Sequence, residues 1–174
     1  MKVLVVVDMQ NDFITGPLGT PEAQAIVPKV CELIKSDYDE IFFTEDIHGD
    51  DYLYTHEGRW LPTPHCLVCR EGQLRIPEIR EILLGKCHVI SKNSFGATLL
   101  WPAIKGLQES TFESVTVDIC GVCTDICVIS NALMLRSYFP EMDIRVIKDA
   151  CAGTDPDMHW EALRVMKNCH IEVV

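Results

Sequence analysis

Between Ser114 and Leu133 the apolar residues change period, and that change restricts the fold more than any other feature of the chain. Val115, Val117 and Ile119 alternate with Thr116 and Asp118 up to a turn signal at Cys120-Gly121, the pattern of a buried strand. Beyond the turn, Val128, Ile129, Ala132 and Leu133 fall on one helical face, with Thr124 or Asp125 as the cap of a helix that begins near Ile126. Cys127 therefore sits in the first turn of a helix that follows a strand. A thiol there meets the positive end of the helix dipole, so its pKa is expected to fall, and free N–H groups nearby can receive a developing oxyanion. An ordinary packed cysteine is the competing reading.

The same alternation of strand and helix runs through the whole chain. Val3–Val7 is an unbroken apolar run, the mark of a strand covered on both faces. Glu40–Thr44, His88–Ser91, Asp143–Lys148 and Ile171–Val174 read as further strands. Thr20-Pro21 and Asp155-Pro156 each pair a capping side chain with a proline at the first helical position. The first of these helices is expected to run to Ser36. A short one is expected over Pro77–Leu84, closed by Gly85, and helical pieces between Phe95 and Gln108 must start or kink at Pro102. The predicted architecture is α/β: three layers, with a six-stranded, mainly parallel sheet of Rossmann-type topology and helices on both faces, in a single domain over residues 1–174. Ligands in such sheets bind off the carboxyl ends of the strands. Asp8, Lys92 and Cys127 all belong at that edge: an acid, an amine and a helix-start thiol.

Composition narrows the partners. A formal net charge of −11 argues against nucleic acid, and no apolar run reaches the length of a membrane span. The nine cysteines are an odd number in a chain long enough to build a core, so reduced thiols and a cytoplasmic location are expected. The pairs Cys66/Cys69 and Cys120/Cys123 have CxxC spacing but lie much further apart than the halves of a zinc ribbon. Glu45 to Arg75 has little periodicity and carries three of the six histidines, and a loop of that length points to function.

Five segments carry a resemblance: VVVDMQNDF (Val5 to Phe13), TEDIH (Thr44 to His48), PTPHC (Pro62 to Cys66), SKNSF (Ser91 to Phe95) and GVCTDICV (Gly121 to Val128). Together they resemble the isochorismatase-like cysteine hydrolases, and within them the nicotinamidases. The resemblance implies a catalytic triad of Asp8, Lys92 and Cys127. It implies a cis peptide at Val122-Cys123 and an oxyanion site at the N–H groups of Cys123 and Cys127. It implies a divalent metal on Asp46, His48 and His65, with Glu57 or His56 as a fourth ligand; zinc leads, and iron or manganese also suit these donors. Phe13 and Trp60 are expected to wall the substrate, and homo-oligomers are common in the family. The implied reaction converts nicotinamide to nicotinate and ammonia through a cysteine thioester.

Two departures from the family pattern bear on the pocket. The stretch after Lys92 is shorter than usual, and that from Trp60 to His65 is longer. Two alternatives to the implied reaction stay open: hydrolysis of a different small amide or carbamoyl compound, and a catalytically silent binding module of the same fold.

Overall fold

A computed structural model describes residues 1–82, 87–111 and 114–174. Its strands are β1 (Lys2–Val7), β2 (Glu40–Asp46), β3 (His88–Lys92), β4 (Thr116–Val122), β5 (Asp143–Ala152) and β6 (Glu172–Val173). They form one sheet in the order β3-β2-β1-β4-β5-β6, and every neighbouring pair is parallel. The expected sheet is thus present, and wholly rather than mainly parallel. The chain builds outward from β1 to β3, then returns to the other side of β1 to add β4. The strand order therefore reverses between β1 and β4, where an open α/β sheet has its ligand crevice. Asp8 follows β1 directly and Cys123 follows β4, so the two flank that crevice.

Val3 to Val7 have no exposed surface, as expected for a central strand covered on both sides. The helices are α1 (Asn11–Ile14), α2 (Pro21–Ala25), α3 (Val27–Ile34), α4 (His56–Trp60), α5 (Pro77–Ile82), α6 (Leu100–Thr111), α7 (Ile129–Tyr138) and α8 (Pro156–Asn168). Thr20 caps α2 by accepting the N–H of Ala23, and Asp155 caps α8 by accepting those of Asp157 and Met158. The single helix expected from Thr20 to Ser36 is broken at Ile26. Pro28 has no N–H to give to the preceding turn, so α3 starts afresh. The expected Gly85 cap lies outside the described residues. Among the described residues no helix is long and apolar enough to cross a membrane.

Two strands outrun their apolar runs. β5 continues past Lys148 to Ala152, with a register shift opposite β4 between Ile119 and Gly121, and this carries Gly153 and Thr154 up to the crevice. β4 continues through the expected turn at Cys120-Gly121 to Val122. Gly121 makes this possible, since it adopts φ +115° and a Cβ there would lie 2.1 Å from the carbonyl oxygen of Val7. Gly121→Ala must therefore push β4 away from β1 beside Asp8. We expect it to cost about 2–4 kcal/mol of unfolding free energy by urea titration. A change under about 0.5 kcal/mol would show that the two strands do not need this approach.

Candidate active site and metal group

Asp8 is fully buried and holds φ +50°, a left-handed backbone that aspartate tolerates better than most residues. The Thr44 hydroxyl donates to its Oδ1 at 2.6 Å. Lys92 ends β3, and its Nζ lies 2.7 Å from Asp8 Oδ2, 3.5 Å from Asp46 Oδ1 and 3.6 Å from Cys127 Sγ. Asp8 Oδ2 accepts no well-aligned hydrogen bond among the described residues, so its contact with Lys92 is one of charge more than direction. Burial alone would strip the lysine of its proton, but Asp8, Cys127 and Asp46 hold its pKa well above the ordinary value. The ammonium is the shared cation of two buried carboxylates.

Cys127 lies in a π-helical turn, Thr124–Val128, that leads into α7, with the N–H groups of Ile126 and Val128 both bonded to the Cys123 carbonyl. The expected caps do other work: the Thr124 hydroxyl pairs with His159 Nδ1 at 2.8 Å, and Asp125 accepts from the N–H and hydroxyl of Thr154. The peptide between Val122 and Cys123 is cis. The expected fall in the Cys127 pKa is not found. Burial pushes the thiol well up and the Asp8 carboxylate adds to this, with Lys92 opposing. Loss of water outweighs the helix start because the sulfur is almost wholly enclosed. Burial also raises the Asp8 carboxyl, against the pull of Lys92.

A second group lies across the crevice. Asp46, His48, Glu57 and His65 bring one donor atom each within 4.8 Å of one another. Asp46 Oδ2 is 2.8 Å from His48 Nε2 and 3.4 Å from His65 Nε2, and Glu57 Oε1 is 3.8 Å and 3.6 Å from the same two nitrogens. Tetrahedral zinc with bonds of about 2.0–2.1 Å sets its donors about 3.3 Å apart, and the four nitrogen–oxygen separations here bracket that spacing, so two nitrogens and two oxygens suit such an ion as a donor set. Thr63 O lies 2.9 Å from His65 Nδ1, which turns Nε2 toward the group. Burial would raise the Asp46 carboxyl, but hydrogen bonds from His48 and His65 and the charge of Lys92 hold it well below the usual carboxylate range. Of the two fourth ligands left open by the sequence, Glu57 joins the group. His56 is exposed, and its Nδ1 faces Arg59.

The polar string after Asp8 builds the frame for both groups. Gln10 is fully buried; its Nε2 donates to the carbonyls of Asp46 and Gln73, and its Oε1 accepts from the Asp46 N–H. Asp12 accepts the N–H of Cys66, next to His65. Tyr52 packs edge-on against the rings of His48 and His65, and its hydroxyl donates to the Leu61 carbonyl. None of these positions was singled out from the sequence. The signal for Gln10 and Asp12 is their run with Asp8, since an amide and a carboxylate so close to the end of a buried strand need partners.

One cavity of about 280 Å³ joins the two groups. Cys127 and Cys123 line one side and Asp46, Glu57 and His65 the other, with Phe13, Leu18, Leu61, Phe95 and Ile126 as apolar walls and Thr20 and Thr154 at polar points. Phe13 lines this cavity, with its ring 5.3 Å from that of His65. Trp60 does not: it is 81% exposed and lines no part of this cavity. On α4 it shares a side with His56, four residues earlier, which faces solvent. Leu61, four residues after Glu57, takes the wall instead. The CxxC cysteines form no metal group among the described residues, and all nine cysteines are free thiols.

Comparison with known proteins gives a consistent picture. The family model for the isochorismatase domain matches residues 2–174. The chain is 28% identical to a nicotinamidase/pyrazinamidase of Mycobacterium tuberculosis over 194 aligned positions, covering 100% of this chain and 98% of that protein. A crystal structure of a pyrazinamidase of Pyrococcus horikoshii in complex with zinc superposes with a TM-score of 0.82 at 29% identity, covering 99% of this chain and 98% of the other. A pyrazinamidase/nicotinamidase of Streptococcus mutans UA159 superposes with a TM-score of 0.83 at 26% identity, with complete coverage of both chains.

Proposed function

The chain belongs to the isochorismatase family of hydrolases, and from that premise we propose that it is a metal-assisted cysteine amidohydrolase that converts nicotinamide to nicotinate and ammonia. One observation carries the proposal: one small cavity is lined on one side by the Cys127 thiol, backed by Lys92 and Asp8, and on the other by Asp46, Glu57 and His65 of the four-donor group. Its volume lies at the lower limit of ligand pockets, which favours a small planar amide. The apolar walls suit an aromatic ring. A divalent ion on Asp46, His48, Glu57 and His65 would offer an electrophilic position to the ring nitrogen, and the similar pyrazinamidase of Pyrococcus horikoshii is in complex with zinc.

The chain's own residues then perform the chemistry. The thiol keeps its proton at rest, because burial disfavours the thiolate. As sulfur attacks the carboxamide carbon, Asp8 accepts that proton, and the carbonyl π pair moves onto oxygen. The N–H groups of Cys123 and Cys127 receive the oxyanion. Collapse breaks the C–N bond, and Asp8 returns the proton so that nitrogen leaves as ammonia. Water next attacks the thioester, giving its proton to Asp8, and the acid departs as the thiol re-forms. Lys92 stays charged throughout and offsets the negative charge that passes between sulfur, Asp8 and the oxyanion.

Ammonia release from nicotinamide and from a panel of small amides, with metal analysis of the same sample, tests this. We expect nicotinamide to be turned over by protein that holds a divalent ion. Turnover of another amide alone would transfer the assignment to that substrate, and silence on the whole panel would refute hydrolysis. Metal retention should also depend on acidity. Burial lowers the affinity of His65 for a proton, but the hydrogen bonds to Asp46 and Thr63 outweigh it, so in the metal-free protein its pKa stands above 6.5. A metal must displace that proton, so affinity falls as pH drops through this range. Chelator competition at pH 8 and pH 6 should give zinc affinities at least about tenfold apart. Equal affinities would remove His65 from the ligand set.

A further inference from the structure

Asn131 is fully buried in α7, one helical turn past Cys127, and no part of its side-chain amide is idle. Its Nδ2 donates to the carbonyl of Cys127 at 2.8 Å and reaches the carbonyl of Phe95 at 3.4 Å, while its Oδ1 accepts the buried N–H of Ala97 at 2.9 Å. Phe95 and Ala97 belong to the loop that leaves β3 just after Lys92. Phe95 lines the same cavity as Cys127. One planar amide thus joins the backbone of the nucleophile turn to the loop that carries an aromatic wall and continues the strand of the ammonium. A buried asparagine could be replaced by apolar packing if it only filled space, yet here each polar atom of the amide meets a backbone group.

We propose that Asn131 is a positioning residue for the reaction: it holds the Cys127 turn and the Phe95–Ala97 loop in one register, so that the sulfur meets a carbonyl whose ring is set by Phe95. The proposal rests on the cysteine amidohydrolase reading. The two ends of the amide have separable duties. Donation to Cys127 O fixes the attacking sulfur against the oxyanion site and so governs kcat. Acceptance from Ala97 N fixes the aromatic wall and so governs KM.

Two substitutions divide these duties. Asn131→Asp keeps an acceptor for Ala97 and loses the donor to Cys127 O. Asn131→Ser keeps a donor, because a helical serine hydroxyl reaches the carbonyl four residues back, and loses Ala97. Kinetics on the metal-loaded enzyme are counted per folded molecule, from the amplitude of the cooperative thermal transition. For Asn131→Asp we expect kcat to fall about 30-fold with KM within about threefold of wild type. For Asn131→Ser we expect KM to rise about tenfold with kcat within about threefold. A merely structural role would change the folded amplitude and leave both constants per folded molecule unmoved in both variants, and that result overturns the proposal. Loss of kcat in the serine variant without a rise in KM would overturn it equally. If the aspartate variant does not fold, the serine variant decides alone. Wild-type protein that releases no ammonia from any amide marks the failure of the hydrolase reading itself; active wild type with insensitive variants marks the failure of this inference only.

Discussion

Cys127→Ala will reduce amide turnover by at least about 10⁴-fold while the protein folds and binds metal as before. The Cys127 sulfur lines the cavity and lies 3.6 Å from the Lys92 ammonium, so it is placed to attack a carbonyl and carry the acyl group. Asp8 is fixed by Thr44 and paired with Lys92, and the ammonium keeps its proton, so neither group supplies the nucleophile. The deletion leaves a small void and touches neither β4 nor the metal group, so the melting temperature should move by no more than about 3 °C. Cys69→Ala and Cys169→Ala serve as controls, because both thiols are exposed and lie outside the cavity. Activity of Cys127→Ala near that of the controls would remove the nucleophile assignment.

Lys92→Met will be nearly as damaging, and in two ways. It takes the cation from Asp8 and Asp46, both buried, and breaking such a pair costs about 3–5 kcal/mol. It also removes the positive charge in contact with the sulfur, so kcat/KM should fall by about 10²–10³-fold. The stability loss has a pH signature. Burial already raises the Asp8 pKa, and without Lys92 it rises further, so the folded variant binds a proton that the unfolded chain releases. A carboxyl whose folded pKa lies above its unfolded value favours folding at low pH and loses that contribution as pH rises through the folded pKa. The deficit of metal-free Lys92→Met against wild type, measured by urea unfolding, should therefore be smaller at pH 5 than at pH 7.5. A deficit independent of pH would mean that Lys92 does not neutralise Asp8.

Much of this site could be read from local pattern. Asp8, Lys92 and Cys127 stand out because each is a polar residue placed where an apolar strand ends, and parallel strands of one sheet deliver their ends to one edge. The metal donors follow no such rule. Asp46 ends β2 and His48 lies two residues on, but His65 reaches them through a long aperiodic excursion, and the resemblance to a family that joined these three left the fourth ligand open between Glu57 and His56. Trp60 was misplaced because nothing in the sequence tells which side of the short helix α4 faces the cavity; Glu57 and Leu61 share that side. The thiol pKa was misjudged because a helix start is visible in sequence and the degree of burial is not. Gln10, Thr44, Tyr52 and Asn131 escaped notice because their partners are backbone groups distant in the chain, or rings and carboxylates brought near only by the fold. Gly121 was legible as a turn signal, but its actual task, letting β4 pass beside Val7, depends on a neighbour strand.

The central claim is that Cys127 carries the acyl group between two half-reactions. Acid quenching of enzyme mixed with excess nicotinamide, followed by mass spectrometry of the intact chain and its peptides, tests it most directly. The account predicts a nicotinoyl adduct on the peptide that contains Cys127, absent from Cys127→Ala and lost on reaction with hydroxylamine. Steady ammonia release with no adduct at any quench time, or an adduct on Cys123 in its place, would contradict it.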